Sequence, residues 1–272
     1  MMLGKSAQEV LDGIRKKNGA SKTMILNDKL FKYFIAKAEN VQVNLLCLGL
    51  GYTAAVTSDG GIGIAYTYFE NKKSCMLLND GADYEGRPAS ELLEKIKSGH
   101  QIERSMALAL VNALNYQHAL QLPEDKNNEI MFETFNITKG TKVAMVGYFG
   151  PLIKHFKQRE ALLDILDQSR GLGRPADFYE KLKSWADVLF LTSTSILNNS
   201  TEEILANVHA RVKTIMLGPS TPMVAEAFDH LPVHMLAGTV PLDNENIVKA
   251  VRHGMGTPIL HRFSRKSYIA LT

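Results

Sequence analysis

Val188-Leu189-Phe190-Leu191-Thr192-Ser193-Thr194-Ser195 is the stretch that decides the fold. Four consecutive apolar residues without alternation fit a strand covered on both faces, as in a parallel sheet flanked by helices. Four hydroxyl residues follow at once, the composition of a strand-to-helix junction. The alternation recurs on both sides of this stretch. Strand patterns at 142–146, 161–165, 188–192, 214–217 and 233–236 are interleaved with helical patterns at 151–158, 178–185, 201–208, 222–228 and 245–253. This half of the chain reads as a parallel sheet with helices on both sides, within the α/β class.

Upstream the periodicity changes. Residues 43–48, 52–57 and 62–68 are short runs rich in β-branched and aromatic residues, and Ser58-Asp59-Gly60-Gly61 supplies a tight-turn signal. They predict an antiparallel β-meander. Ser6-Ala7-Gln8-Glu9 is a capping box that opens a helix over 6–17. A Gly- and Asp-rich loop at 79–88 leads into a helix at 90–98, and a second helix covers 102–118. Within the latter, Met106-Ala107-Leu108-Ala109-Leu110-Val111 is apolar on every face, which marks a buried helix. Its polar residues therefore need partners. Asn112 left unpaired would cost about 1–3 kcal/mol, and Glu103 sits where the helix dipole favours an anion. The plain alternatives are a satisfied core amide and a first-turn acid. Gln121-Leu122-Pro123-Glu124-Asp125-Lys126 is polar and carries a proline, so the reading divides the chain into a small α+β unit at 1–122 and the parallel-sheet unit at 123–272.

Composition narrows the function. The chain has 272 residues, 45% hydrophobic and 22% charged, and 31 basic against 28 acidic residues give a net charge of +3. That rules out a disordered chain and gives no clustered basic tract for nucleic acid. Neither a signal-like apolar core nor a run of about 20 apolar residues is present, so a soluble cytoplasmic protein with no membrane partner is expected. Cys47 and Cys75 lack a metal or disulfide spacing, and eight scattered histidines form no zinc motif. The first glycine loop, Gly147-Tyr148-Phe149-Gly150, is not a dinucleotide fingerprint, and Walker A and G-x-S-x-G sequences are absent.

In an open parallel sheet the ligand crevice lies outside the carboxyl ends of the strands. Those ends carry Gly147-Tyr148-Phe149-Gly150-Pro151, Thr192-Ser193-Thr194-Ser195 with Asn198-Asn199-Ser200, Gly218-Pro219-Ser220-Thr221-Pro222, and Ala237-Gly238-Thr239. Small residues, hydroxyls and amides at helix entries suit an anion. Each loop also has a structural explanation: Ser200 with Glu203 reads as a capping box, and Thr221 before Pro222 as an N-cap. His155, one helical turn past Gly150-Pro151, is placed to face the crevice.

Taken in order, these four loops resemble the motifs of the family labelled for heavy-metal chelation, in which an enolase-amino-terminal-like domain precedes a Rossmann-like domain. Gly218-Pro219-Ser220-Thr221-Pro222 is the most specific element, and Glu103-Arg104-Ser105 with Asn112-Ala113 resembles the helix of the first domain. Ser193 and Asn199 stand where that family usually has glycine. The resemblance implies a site between the two domains. The expected ligand is a small anion or a metal chelate, because the crevice offers mainly oxygen donors and few soft ones. Expected ligand-binding residues are Gly147, Tyr148, Phe149, Gly150, His155, Thr192, Ser193, Thr194, Asn198, Gly218, Pro219, Ser220, Thr221, Gly238 and Asn112. A metal ion or metal chelate is the implied cofactor, with its ligands unassigned, and a homo-oligomer stays open. The alternative is an enzyme acting on a small anionic metabolite at the same cleft, with Glu103 as its acid or base.

Overall fold

The computed structural model describes residues 25–69 and 83–271. The helix expected at 6–17, Cys75 and the start of the 79–88 loop lie outside the described residues. The chain forms two sheets, a three-stranded antiparallel one and a six-stranded, mostly parallel one, as the periodicity predicts.

The first sheet is the meander β1 (Val43–Leu48), β2 (Tyr52–Thr57) and β3 (Ile62–Tyr66). On one face lies helix α3 (Gln101–Leu114), preceded by α1 (Ile25–Ala38) and α2 (Ala89–Leu93). The contact is close because Gly63 has no side chain: a Cβ there would sit 2.2 Å from the Ala109 carbonyl oxygen and the Ala113 nitrogen. The expected burial of α3 is realised, with Met106 through Val111 all in the core. The helix ends earlier than 118, since Asn115 turns its amide to the Met223 carbonyl, 2.8 Å away, before the short α4 (Tyr116–Ala119).

The linker then runs along the last strand, with Tyr268 N–H donating to Pro123 and Asp125 N–H to Lys266. After α5 (Glu129–Thr134) come β4 (Lys142–Val146), α6 (Gly150–Gln158), β5 (Leu162–Leu166), α7 (Pro175–Ser184), β6 (Val188–Thr192) and the short α8 (Thr194–Leu197). Next are α9 (Thr201–Leu205), β7 (Lys213–Leu217), β8 (Met235–Pro241), α10 (Asn244–Arg252), α11 (Thr257–Leu260) and β9 (Ser264–Ala270). Strand order is β5-β4-β6-β7-β8-β9, with only β9 antiparallel. Successive residues of β4 serve opposite cores. Val143 and Met145 pack with Phe132 and Phe156, while Ala144 belongs with Phe178 and Leu182, so both faces of the sheet are covered.

The two units are fused by packing. One apolar cluster runs from Leu30 and Leu110 of the first to Leu189 and Leu236 of the second. In return, α10 and α11 cover the other face of the first sheet, where Ile247, Val251 and Leu260 meet Tyr52, Ala54 and Ile64.

Several local expectations are corrected. The helix at 222–228 is an extended segment ending in a 3-10 turn, Ala225–Phe228, because Thr221 Oγ donates back to the Gly218 carbonyl, 2.8 Å away, instead of capping. The Ser200/Glu203 capping box does not form: Ser200 Oγ donates to Asn198 Oδ1 at 2.6 Å, and Glu203 accepts from the Tyr179 hydroxyl at 3.3 Å. Helix 90–98 is α2 plus a 3-10 turn, Glu94–Lys97. Helix α1 and strand β9 are additions to the reading. The polar sequence of β9 suits an edge strand along which the linker runs.

Candidate functional site

Strand β5 lies on one side of β4 and β6 on the other, so the winding direction reverses between β4 and β6, where open α/β sheets place their ligands. Three loops meet at this rim. Gly147 adopts a φ of 89°, donates its N–H to Leu166, and leaves no Cβ where Thr192 Cβ would approach to 3.1 Å. Phe149 closes the same turn, its ring 3.6 Å from that missing Cβ. The Tyr148 ring folds over Gly150, the first residue of α6, and remains 45% exposed. Above it, the Arg170 guanidinium stands 4.6 Å from the ring centroid. Helix α6 starts with no side-chain cap and no acid in its first turn, so its positive dipole end is left for other anions.

On the other side of the reversal, the hydroxyls of Thr192 and Thr194 lie 3.0 Å apart. Between them Ser193 turns toward β7. Its backbone N–H donates to Leu217, while its side chain is 1% exposed and its Oγ has no hydrogen-bond partner among the described residues. It faces Gly218, which has a φ of 126° and where a Cβ would lie 2.9 Å from Ser193 Oγ. A buried hydroxyl without a partner costs on the order of 1–3 kcal/mol; among the described residues Thr214, His230, Arg265 and Ser267 also carry buried unpartnered atoms, and Ser193 is the one of these that lies in a loop of this rim.

The remaining expected residues have other work. Ser220 Oγ is 1% exposed and accepts the Tyr66 N–H at 2.7 Å; Asn112 donates to Ile64 at 2.9 Å and to Ser220 at 3.4 Å. Asn198 holds Ser200 and donates to the Tyr68 hydroxyl at 3.3 Å. Pro219 completes the Gly218 turn, and Gly238 makes room for Met223, whose Sδ lies 3.0 Å from the missing Cβ. These residues fasten the two units together. The cavity left at their seam, lined by Asn112, Asn115, Tyr116, Thr221 and Thr239, has about 10 Å³, room for about one water.

Glu103 and His155 stand apart from the rim. Glu103 accepts from Lys95 at 3.0 Å and from Ser98 Oγ, and the Lys95 ammonium is held well above its ordinary range, chiefly by that hydrogen bond. Both of its oxygens serve the local turn. His155 stacks on Phe132, with centroids 5.5 Å apart, and its Nδ1 lies 3.8 Å from Glu129. Helical geometry carries it toward α5 instead of toward the helix entry.

Two arginines stand outside the expected site residues. Arg104, 3% exposed, donates from Nε to the Leu197 carbonyl at 2.7 Å and from its guanidinium to Ser98, so it pins the loop after α8. Its signal was a cation just before the apolar run 106–111 of a buried helix. Arg170 follows β5 in a turn capped by Asp167, which accepts from Ser169 Oγ at 2.6 Å and from the Arg170 N–H at 3.2 Å.

A heavy metal needs a donor set, and among the described residues no group of three His, Cys, Asp or Glu is disposed to hold one. Cys47 is a lone thiol whose ionisation burial pushes up. The rim's donors are hydroxyls and backbone amides, which fit an oxyanion or a metal already clothed in oxygen ligands better than a bare soft ion.

Comparison with known proteins agrees with this architecture. Residues 130–270 match the family DUF364 and residues 31–115 match DUF4213, both described as "Putative heavy-metal chelation". The first match alone spans more than half of the chain, and the chain belongs to that family. Among its relatives is a Methanocaldococcus jannaschii protein described as uncharacterized, 21% identical over 256 residues, covering 89% of this chain and 95% of that one. A DUF364 crystal structure from Pyrococcus horikoshii superposes with a TM-score of 0.75 at 19% identity, over 90% of this chain and all of that one. One from Desulfitobacterium hafniense DCB-2 gives 0.69 at 21%, over 89% and 98%. Both are described as proteins of unknown function, and at this identity they speak for the fold. No helix among the described residues is long and apolar enough to cross a membrane.

Proposed function

We propose that the chain binds a small anionic ligand, or a metal carried as an oxygen-rich chelate, at the rim formed by Gly147, Thr192, Ser193, Thr194 and Gly218. The family description suggests heavy-metal chelation, and a ligand that brings its own donors reconciles that description with a rim of hydroxyls and amides. The observation that carries the reading is the buried, unpartnered Ser193 hydroxyl facing the bare Cα of Gly218. A fold keeps such an orphan at a cost unless a guest completes it. The open N-terminus of α6 adds a favourable field for negative charge.

Calorimetry of the full chain with nickel–citrate, citrate and pyrophosphate tests this. At least one should bind, and Ser193→Ala should weaken it about tenfold or more, the scale of one hydrogen bond to a charged group. The same variant should fold with undiminished stability. Binding by none of the three, or affinity unaltered in both Ser193→Ala and Ser193→Val, would overturn the reading.

A further inference from the structure

The guanidinium of Arg170 is the most prearranged charged group at the rim. Its lower face rests 4.6 Å above the Tyr148 ring, and its Nε edge points to Asp167 Oδ2, 3.8 Å away. Asp167 itself is only 12% exposed and is held by the turn it caps, so it acts as a fixed rest. The Arg170 side chain is nonetheless 60% exposed. An arginine braced on one face by an aromatic ring and on one edge by a carboxylate keeps its terminal N–H groups in a fixed fork. Beneath the same Tyr148 ring begins α6, with its uncapped N–H groups and no acid in the first turn. Across the β4/β6 reversal stand the Thr192 and Thr194 hydroxyls, and beside them the orphaned Ser193 Oγ.

Fork, helix entry and hydroxyls lie on three consecutive loops. Together they offer more donors than the two oxygens of one carboxylate can use, whereas a phosphoryl group presents three acceptor oxygens and up to two negative charges. We propose that Arg170 is a specificity residue of this rim and that the ligand it selects carries a phosphoryl group. This assignment rests on the rim reading above and adds the class of ligand to it. Asp167 and Tyr148 are positioning residues that hold the fork.

The test compares pyrophosphate, inorganic phosphate and citrate by calorimetry at matched ionic strength, on the full chain and on Arg170→Gln, Arg170→Lys and Ser193→Ala. Pyrophosphate should bind the full chain at least tenfold more tightly than citrate. Arg170→Gln should reduce pyrophosphate affinity tenfold or more with an unchanged melting temperature, because the side chain is exposed. Arg170→Lys should recover only part of the loss, since a point charge replaces a fork. Pyrophosphate affinity within twofold of the full chain in Arg170→Gln, or citrate binding as tightly as pyrophosphate, overturns the phosphoryl assignment. In that event Ser193-dependent citrate binding would leave the rim reading standing. Silence from all three probes overturns the phosphoryl assignment, and the rim reading falls with it if nickel–citrate is silent too.

Discussion

The seam between the two units and the rim of the parallel sheet are built from the same kinds of residue, yet they end in opposite states. At the seam, Ser220 takes the Tyr66 N–H, Asn112 and Asn115 reach the Ser220 and Met223 carbonyls, and Arg104 reaches Leu197. On the neighbouring strand's loop, Ser193 is equally buried and its hydroxyl has no partner among the described residues. The difference lies in what stands opposite. Ser220 meets the exposed end of a strand with a donor to give, whereas Ser193 meets a glycine. A small polar residue in a βα loop is thus a clamp or a candidate ligand according to its neighbour.

The comparison can be broken by substitution. The largest effect belongs to the packing behind the seam, inside the first unit, where Gly63→Ala would push a methyl into the Ala109 carbonyl and force α3 off the first sheet. Overpacking against backbone should cost about 3 kcal/mol or more, read as a fall in urea midpoint. Next, Ser220→Ala removes the partner of the Tyr66 N–H and should cost about 1 kcal/mol in the same assay. If it proves neutral, the seam is wetter than described.

Acidification should act more gently. His230 lies beside the Lys29–Asp229 pair that ties α1 to the second unit, and burial, followed by the Lys29 charge, holds its imidazole below the ordinary range. The unfolded chain therefore takes up the proton more readily than the folded one. Stability should be full above about pH 6.5 and decline as pH falls below it, and His230→Gln should flatten that decline in melting temperatures taken from pH 7.5 to 5.5. Smallest of all, Ser193→Ala should leave stability unchanged or slightly higher, because it deletes an unsatisfied group. A clear loss of stability would mean that the hydroxyl has a structural partner after all.

Much of the fold was legible in short stretches. The unbroken apolar run Val188–Leu191 announced a two-faced strand, and Asp59-Gly60 announced the hairpin. Helix α1 went unread, although Leu26, Leu30, Phe34 and Ala38 recur at helical spacing and are all buried. Strand β9 was harder, because Arg265 and Lys266 sit at an edge where alternation is weak. The candidate residues divided along the same line. Sequence located the loops at the strand ends, but the pairing of Glu103 with Lys95 and Ser98, and of His155 with Glu129 and Phe132, depends on turns that no local pattern specifies.

By itself the sequence determined most of the strands and helices, which loops follow the strands of the parallel sheet, and that those loops are small and hydroxylated. Such properties follow from periodicity and composition within a few residues. Only the tertiary structure decided that Ser220 is spent and Ser193 is not, or that Arg170 rests on Tyr148. Hydrogen-bond satisfaction is settled between residues far apart in the chain, at distances of about 3 Å that only packing can set.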